Sequence, residues 1–161
     1  MLSNLVKRIG VVLLLTAATG GILAFQPSVQ SQLPLRLAVV ANAALSEKQL
    51  GVDELRAIFL RRRLVWSGGR HIVPINQPNN SPTRVAFDRA VLGFSPEQVA
   101  RFWIDTRIRS GLQAPRTVAG DALIVNVVKL LPGCISYVAA DQVSGAVRVV
   151  ARIDAGRVLA P

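Results

Sequence analysis

Short apolar runs alternate along this chain with segments that have helical periodicity, and this alternation constrains the fold most. Runs at residues 35–44, 71–75, 134–140 and 146–153 are short enough for buried strands. Helical patterns at residues 52–60, 95–109 and 121–131 lie between them. Strands that alternate with helices are typical of α/β proteins, so we predict one compact α/β domain.

Two helices have explicit starting signals. Ser81-Pro82 and Ser95-Pro96 each place a hydroxyl at the N-cap and a proline at the first helical position. Gln98 adds the spacing of a capping box to the second start. This second helix is predicted to end near Ser110-Gly111 and to direct an apolar set into the core: Val99, Phe102, Trp103 and Thr106.

The remaining helices are read from their apolar positions. The segment at 52–60 places Leu55, Ile58 and Phe59 on one face, so this face is predicted to be buried. The segment at 121–131 is apolar nearly all round, so we expect most of this helix to be buried. Asp88 and Asp105 are interpreted as carboxylates on the exposed faces of helices.

The first 34 residues have the composition of an export signal and a linker. Lys7 and Arg8 precede a stretch without charge, residues 9–25, with small residues towards its end. This pattern predicts a secretory signal peptide at residues 1–24, or an uncleaved membrane anchor. Residues 25–34 are predicted to be a linker and 35–161 the folded domain, located in the periplasm.

The counts of reactive residues exclude several classes of protein. The chain has one cysteine, Cys134, and one histidine, His71, so an internal disulfide or a metal site built from cysteines or histidines is not expected. No nucleophile elbow or glycine-rich dinucleotide loop is present, which predicts a protein that is not an enzyme and needs no cofactor. The net charge of +10 would suit nucleic acid. Export and the scatter of the arginines along the chain argue against that partner.

Five motifs occur in an order that resembles a known family. They are Leu55-x-x-Ile58-Phe59-Leu60, Trp66-x-Gly68-Gly69-Arg70, Ile72-Val73-Pro74-Ile75, Ser81-x-Thr83-x-x-x-Phe87 and Pro132-Gly133-Cys134-Ile135-Ser136-Tyr137-Val138. Together they resemble the periplasmic phosphate-binding proteins of ABC transporters over about residues 35–150. The resemblance implies one three-layer-like lobe of a type II periplasmic binding protein, with a mixed sheet flanked by helices.

The same resemblance implies a site for a small anion such as phosphate at the start of the Ser81 helix. The residues that it assigns to the anion are Asn80, Ser81, Thr83 and Arg84. Gln77 stands at the family's arginine position, and Pro82 replaces a glycine and removes one N–H donor. These differences predict weak binding.

Three functions remain open at the level of the sequence. The first is a solute-binding-like protein with weak affinity for an anion. The second is an accessory module for protein interaction or sensing that has lost its ligand, with a membrane transporter or sensor protein as its partner. The third is a basic module that contacts anionic lipid or polymer through its arginines. Pairing of two chains to complete a cleft is a further hypothesis.

Overall fold

The computed structural model describes residues 35–145 and 147–161, so the predicted signal peptide and linker lie outside the described residues. The strands are β1 (Leu37–Asn42), β2 (Val73–Asn76), β3 (Arg116–Thr117), β4 (Cys134–Ala139), β5 (Val147–Asp154) and β6 (Arg157–Leu159). The helices are α1 (Val52–Phe59), α2 (Pro82–Phe87), α3 (Pro96–Ser110) and α4 (Asp121–Leu130). A π-helical turn, Asp88–Leu92, continues α2. The predicted α/β class is confirmed.

The strands form one six-stranded mixed sheet in the order β3-β2-β4-β1-β5-β6. β2 runs parallel to both β3 and β4, whereas β1 is antiparallel to β4 and β5. The short strands β3 and β6 at the two edges were not predicted. Two or three residues carry too little periodic pattern to be recognised before their pairing partners are known.

The central strand β1 divides the core into two layers because successive side chains point to opposite faces of a sheet. Leu37, Val39 and Ala41 face a cluster that includes residues of α1, α2 and α3. Ala38 and Val40 face a second cluster that includes residues of α4. The sheet therefore lies between helices on both sides, as predicted.

The predicted helix starts are confirmed. The Ser81 hydroxyl accepts a hydrogen bond from the Arg84 N–H, and Ser95 forms the capping box with Gln98. Helix α3 ends at Gly111, which has a φ of 70°, a conformation that suits glycine.

Three burial predictions are wrong. Trp103 is half-buried and packs at the margin of the core, because Val99 is the residue of α3 that turns fully inward. Helix α4 buries one side, while Leu123 and Leu130 are exposed because only one face of the helix meets the sheet. Asp88 is buried because it lies at the junction of α2 and the π-helical turn, which packs on the core.

Candidate functional site

A cavity of about 180 Å³ opens where β2 and β3 end. Asn76 and Thr117 are the last residues of these parallel strands and pair with each other, so their side chains start from the same edge of the sheet. Helices α2 and α3 close the other sides of the cavity. Ligands of open α/β sheets bind at the carboxyl ends of strands, and this cavity has that position.

The charged groups of the cavity are Arg84 and Asp88, one helical turn apart. The Arg84 Nε donates to Asp88 Oδ2 at 2.5 Å, and Arg84 Nη1 donates to the carbonyl oxygen of Gln77 at 3.2 Å. Their side chains are only 4% and 5% exposed. The pair therefore holds the guanidinium beside the cavity with little contact to bulk water.

Asp88 keeps one carboxylate oxygen without a partner. Its Oδ1 is buried and meets no hydrogen-bond donor among the described residues. Burial raises the pKa of the Asp88 carboxyl above its ordinary value, although the charge and hydrogen bond of Arg84 oppose this change. An unsatisfied acceptor beside a cavity is suited to a ligand that donates a hydrogen bond.

A polar network below the cavity fixes the loop that leads from β2 to α2. The Gln77 amide donates to Asp121 Oδ1 at 2.6 Å and to the carbonyl oxygen of Tyr137 at 3.2 Å. The Tyr137 hydroxyl donates to Asn76 Oδ1 at 3.3 Å and accepts from the Gln77 N–H. Burial raises the pKa of this hydroxyl, so it stays protonated as a donor. Tyr137 is fully buried in the core, and its hydroxyl lies inside the network.

Aromatic packing holds the end of α2 against the sheet. The Phe87 ring stacks on Tyr137 with centroids 3.8 Å apart, and Phe59 meets Phe87 edge-on at 4.6 Å. Phe87 directly precedes Asp88 in the chain. This packing therefore fixes the position of the Asp88 backbone at the cavity.

Among the solved structures that resemble the described chain are three phosphate-binding or phosphate-transport proteins. A phosphate transport receptor of the ABC type from Vibrio cholerae has a TM-score of 0.59 and 16% identity, over 73% of this chain and 46% of that one. A phosphate ABC transporter substrate-binding protein with bound phosphate from Clostridium perfringens has a TM-score of 0.59 and 20% identity, over 73% and 45%. A phosphate-binding protein from Stenotrophomonas maltophilia has a TM-score of 0.52 and 18% identity, over 80% and 39%.

The described chain has the fold of one lobe of a phosphate-binding protein. It spans less than half of the length of the three similar structures. No protein-family profile matches the sequence, and no curated protein does. The resemblance seen in the motifs is therefore confirmed at the level of the fold.

Within this phosphate-binding-protein fold, the four predicted anion contacts differ in whether they line the cavity. Arg84 lines the cavity, but Asn80 is exposed and Thr83 half-buried, and neither is among the residues that line it. The Ser81 hydroxyl caps α2 and donates to Gln77 Oε1 at 3.4 Å. The start of α2 thus uses its serine to stabilise the helix.

Sequence reasoning missed most of the cavity's polar residues, namely Asn76, Asn79, Asp88 and Thr117. The spacing of Arg84 and Asp88, four residues apart on a helix, is a signal that predicts an ion pair. It does not predict burial, which depends on the packing of α2 and the π-helical turn on the core.

The described residues offer no alternative centre built on a metal or a thiol. Among residues 35–145 and 147–161, no group of three or more His, Cys, Asp or Glu side chains is placed to hold a metal ion. Cys134 is fully buried, and burial raises the pKa of its thiol to about 12, so it is protonated at neutral pH. None of the described helices is long and apolar enough to cross a membrane.

Proposed function

We propose that this lobe binds a small oxyanion such as phosphate in the cavity beside Arg84 and Asp88. The observation that carries the proposal is the unpartnered Oδ1 of Asp88, which lies next to a buried guanidinium at the carboxyl ends of two parallel strands. The fold supports it, because one of the similar structures is described with bound phosphate. No chemical step is assigned to the site, so the protein is proposed to bind without catalysis.

The chemistry of the pair favours an anion that still carries a proton. The Arg84 guanidinium donates hydrogen bonds to oxyanion oxygens, and Asp88 Oδ1 accepts one from a P–OH group. Sulfate at neutral pH has no proton to donate, so its oxygens would meet the unpaired oxygen of Asp88 unfavourably. Phosphate is therefore expected to bind more tightly than sulfate.

The affinity is expected to be low. Asp88 already offsets the charge of Arg84, and Pro82 supplies no N–H donor at the start of α2. A single lobe also leaves part of the ligand in contact with water. We expect dissociation constants from high micromolar to millimolar, on the order of 4–6 kcal/mol of binding free energy.

Calorimetry of the protein with phosphate and sulfate at low salt tests the proposal. Phosphate is expected to bind saturably and sulfate more weakly. The Asp88→Asn substitution should narrow this difference in affinity, because an amide oxygen that keeps the bond from Arg84 places an NH2 donor where Oδ1 was. Asp105→Asn is the matched control, because Asp105 is an exposed carboxylate on α3. Absence of saturable phosphate binding at millimolar concentration would refute anion binding by this lobe.

A second pair of variants distinguishes the cavity from the helix start. Asn79 and Asn80 are both exposed, but only Asn79 is among the residues that line the cavity. Asn79→Ala is expected to weaken phosphate binding and Asn80→Ala to leave it unchanged. The start of α2 remains a predicted anion site with contacts from Asn80, Ser81 and Thr83. A larger loss of phosphate affinity in Asn80→Ala than in Asn79→Ala would favour that site.

The second candidate function is an accessory module for protein interaction or sensing. Leu123, Leu130 and Leu131 are exposed on or next to α4, and their apolar surface favours a protein partner such as a membrane transporter or sensor. If this protein binds no anion but does bind such a partner, the result supports this second function.

We also propose that the chain is exported to the periplasm. Lys7, Arg8 and the uncharged stretch that follows them support a signal peptide or an N-terminal anchor. The likeness to phosphate-transport proteins agrees with that location.

A further inference from the structure

A second cleft adjoins the cavity and shares part of its wall. This cleft has a volume of about 340 Å³ and is lined by Trp103, Ile104, Arg107, Gln113 and Ala114. Trp103 and Ala114 also line the cavity that contains Arg84 and Asp88. One face of α3 and the segment before β3 thus border both spaces, and Trp103 lies between them.

The indole of Trp103 is held in place and remains accessible. Phe102 meets it edge-on, with ring centroids 5.0 Å apart and an angle of 81° between the planes. Phe94 packs in turn against Phe102 at 5.9 Å. Trp103 is only half-buried, so part of its surface is free to contact a ligand.

Arg107 adds a positive charge on the side of the cleft. It is exposed, and it forms no ion pair with any carboxylate of the described residues. Trp103 offers an aromatic surface on which another ring can pack, and the charge of Arg107 attracts anions to the cleft. The cleft therefore has an apolar wall and an uncompensated cation, whereas the cavity holds a neutralised pair.

We infer that the site takes an organic oxyanion, whose charged group lies in the cavity and whose planar or apolar body lies on Trp103 in the cleft. This inference rests on the proposed function and names the class of its ligand. Because Asp88 offsets Arg84, the charged group alone contributes little affinity, and apolar contact with Trp103 supplies more. The cavity alone is smaller than the roughly 300–1,000 Å³ of ordinary ligand pockets, and the adjoining cleft brings the combined space into that range.

Phenylphosphonate and methylphosphonate form a matched pair of probes, since they share the anionic group and differ in the ring. Calorimetry in slightly acidic buffer, where both are mainly monoanions, is expected to give about three- to tenfold tighter binding for phenylphosphonate, the range for one aromatic contact. The Trp103→Leu substitution should remove this preference by weakening phenylphosphonate binding more than methylphosphonate binding. Ile108→Ala is the control, because Ile108 is 78% exposed on α3 and lines neither space.

The outcomes separate this inference from the function on which it rests. Equal affinity for the two phosphonates would overturn the inference and leave anion binding intact. Equal loss of both affinities in Trp103→Leu would also overturn it, because the indole would then support the cavity without selecting the ring. If neither phosphonate binds and inorganic phosphate does not bind, the proposed function is overturned as well.

Discussion

Arg84 and Asp88 form an ion pair across one turn of helix, and both side chains are almost completely excluded from solvent. Arg84 uses Nε for the carboxylate and Nη1 for the carbonyl oxygen of Gln77. The pair thus links the end of α2 to the loop that leaves β2. It therefore joins two segments of the fold at the wall of the cavity.

Arg84→Ala is expected to destabilise the protein strongly, because it leaves the buried Asp88 without its partner. Removing one member of a buried pair costs about 3–5 kcal/mol. Arg109→Ala is the control: Arg109 and Asp105 have the same spacing on α3 but are 81% and 64% exposed, and a surface pair of this type contributes about 0.3–0.5 kcal/mol. Urea unfolding at neutral pH measures both changes. Equal losses of unfolding free energy in the two variants would contradict the burial of the Arg84–Asp88 pair.

The stability of the protein should depend on pH through Asp88. Its pKa is raised in the folded state above the ordinary value of 3.8, mainly by burial, so the folded protein holds this proton more tightly than the unfolded chain. The contribution of Asp88 to stability is therefore largest below that ordinary value and is lost as the pH rises through the folded pKa. Urea unfolding of the wild type and Asp88→Asn across this range isolates the change. A wild type that gains stability relative to the variant as the pH rises would contradict the assignment.

Gly133→Ala is expected to destabilise the turn before β4. Gly133 has a φ of 86°, and a Cβ at this position would overlap the carbonyl oxygen of His71. The left-handed conformation alone costs a residue with a side chain about 1–2 kcal/mol, and the overlap adds to this. Gly68→Ala is the control, because a Cβ there meets no atom within 4 Å and φ is not positive. Thermal unfolding measures both variants. A larger loss of stability in Gly68→Ala than in Gly133→Ala would contradict this account.

Trp103→Ala is expected to cost less stability than Phe87→Ala. Phe87 is fully buried between Phe59 and Tyr137, so its truncation should cost about 3–5 kcal/mol. Trp103 is half-buried beside the cavity, and about 1–2 kcal/mol is expected for the partial loss of its contacts. Denaturant unfolding compares the two. A larger loss in Trp103→Ala would restore the sequence-based view of Trp103 as a core residue.

A fusion of residues 1–34 to a reporter that is active only outside the cytoplasm is expected to give a signal. Lys7 and Arg8 followed by an uncharged apolar stretch are the features that the export machinery reads. Replacing two residues of that stretch, Leu13 and Leu14, with Asp provides the control and should abolish the signal. Reporter activity confined to the cytoplasm with the unaltered segment would refute export.

The sequence by itself determined the type and order of the main elements, because these depend on contacts between residues close in the chain. Ser81 and Ser95 cap their helices through N–H groups three residues away, and β1 is recognisable from a continuous apolar run. The tertiary structure decided which polar groups lose water and which surfaces form a cavity. Asp88 is buried through the packing of distant segments, and the cavity needs β3 and α3 beside β2. Solvent exclusion depends on atoms that are far apart in sequence, so no local pattern specifies it.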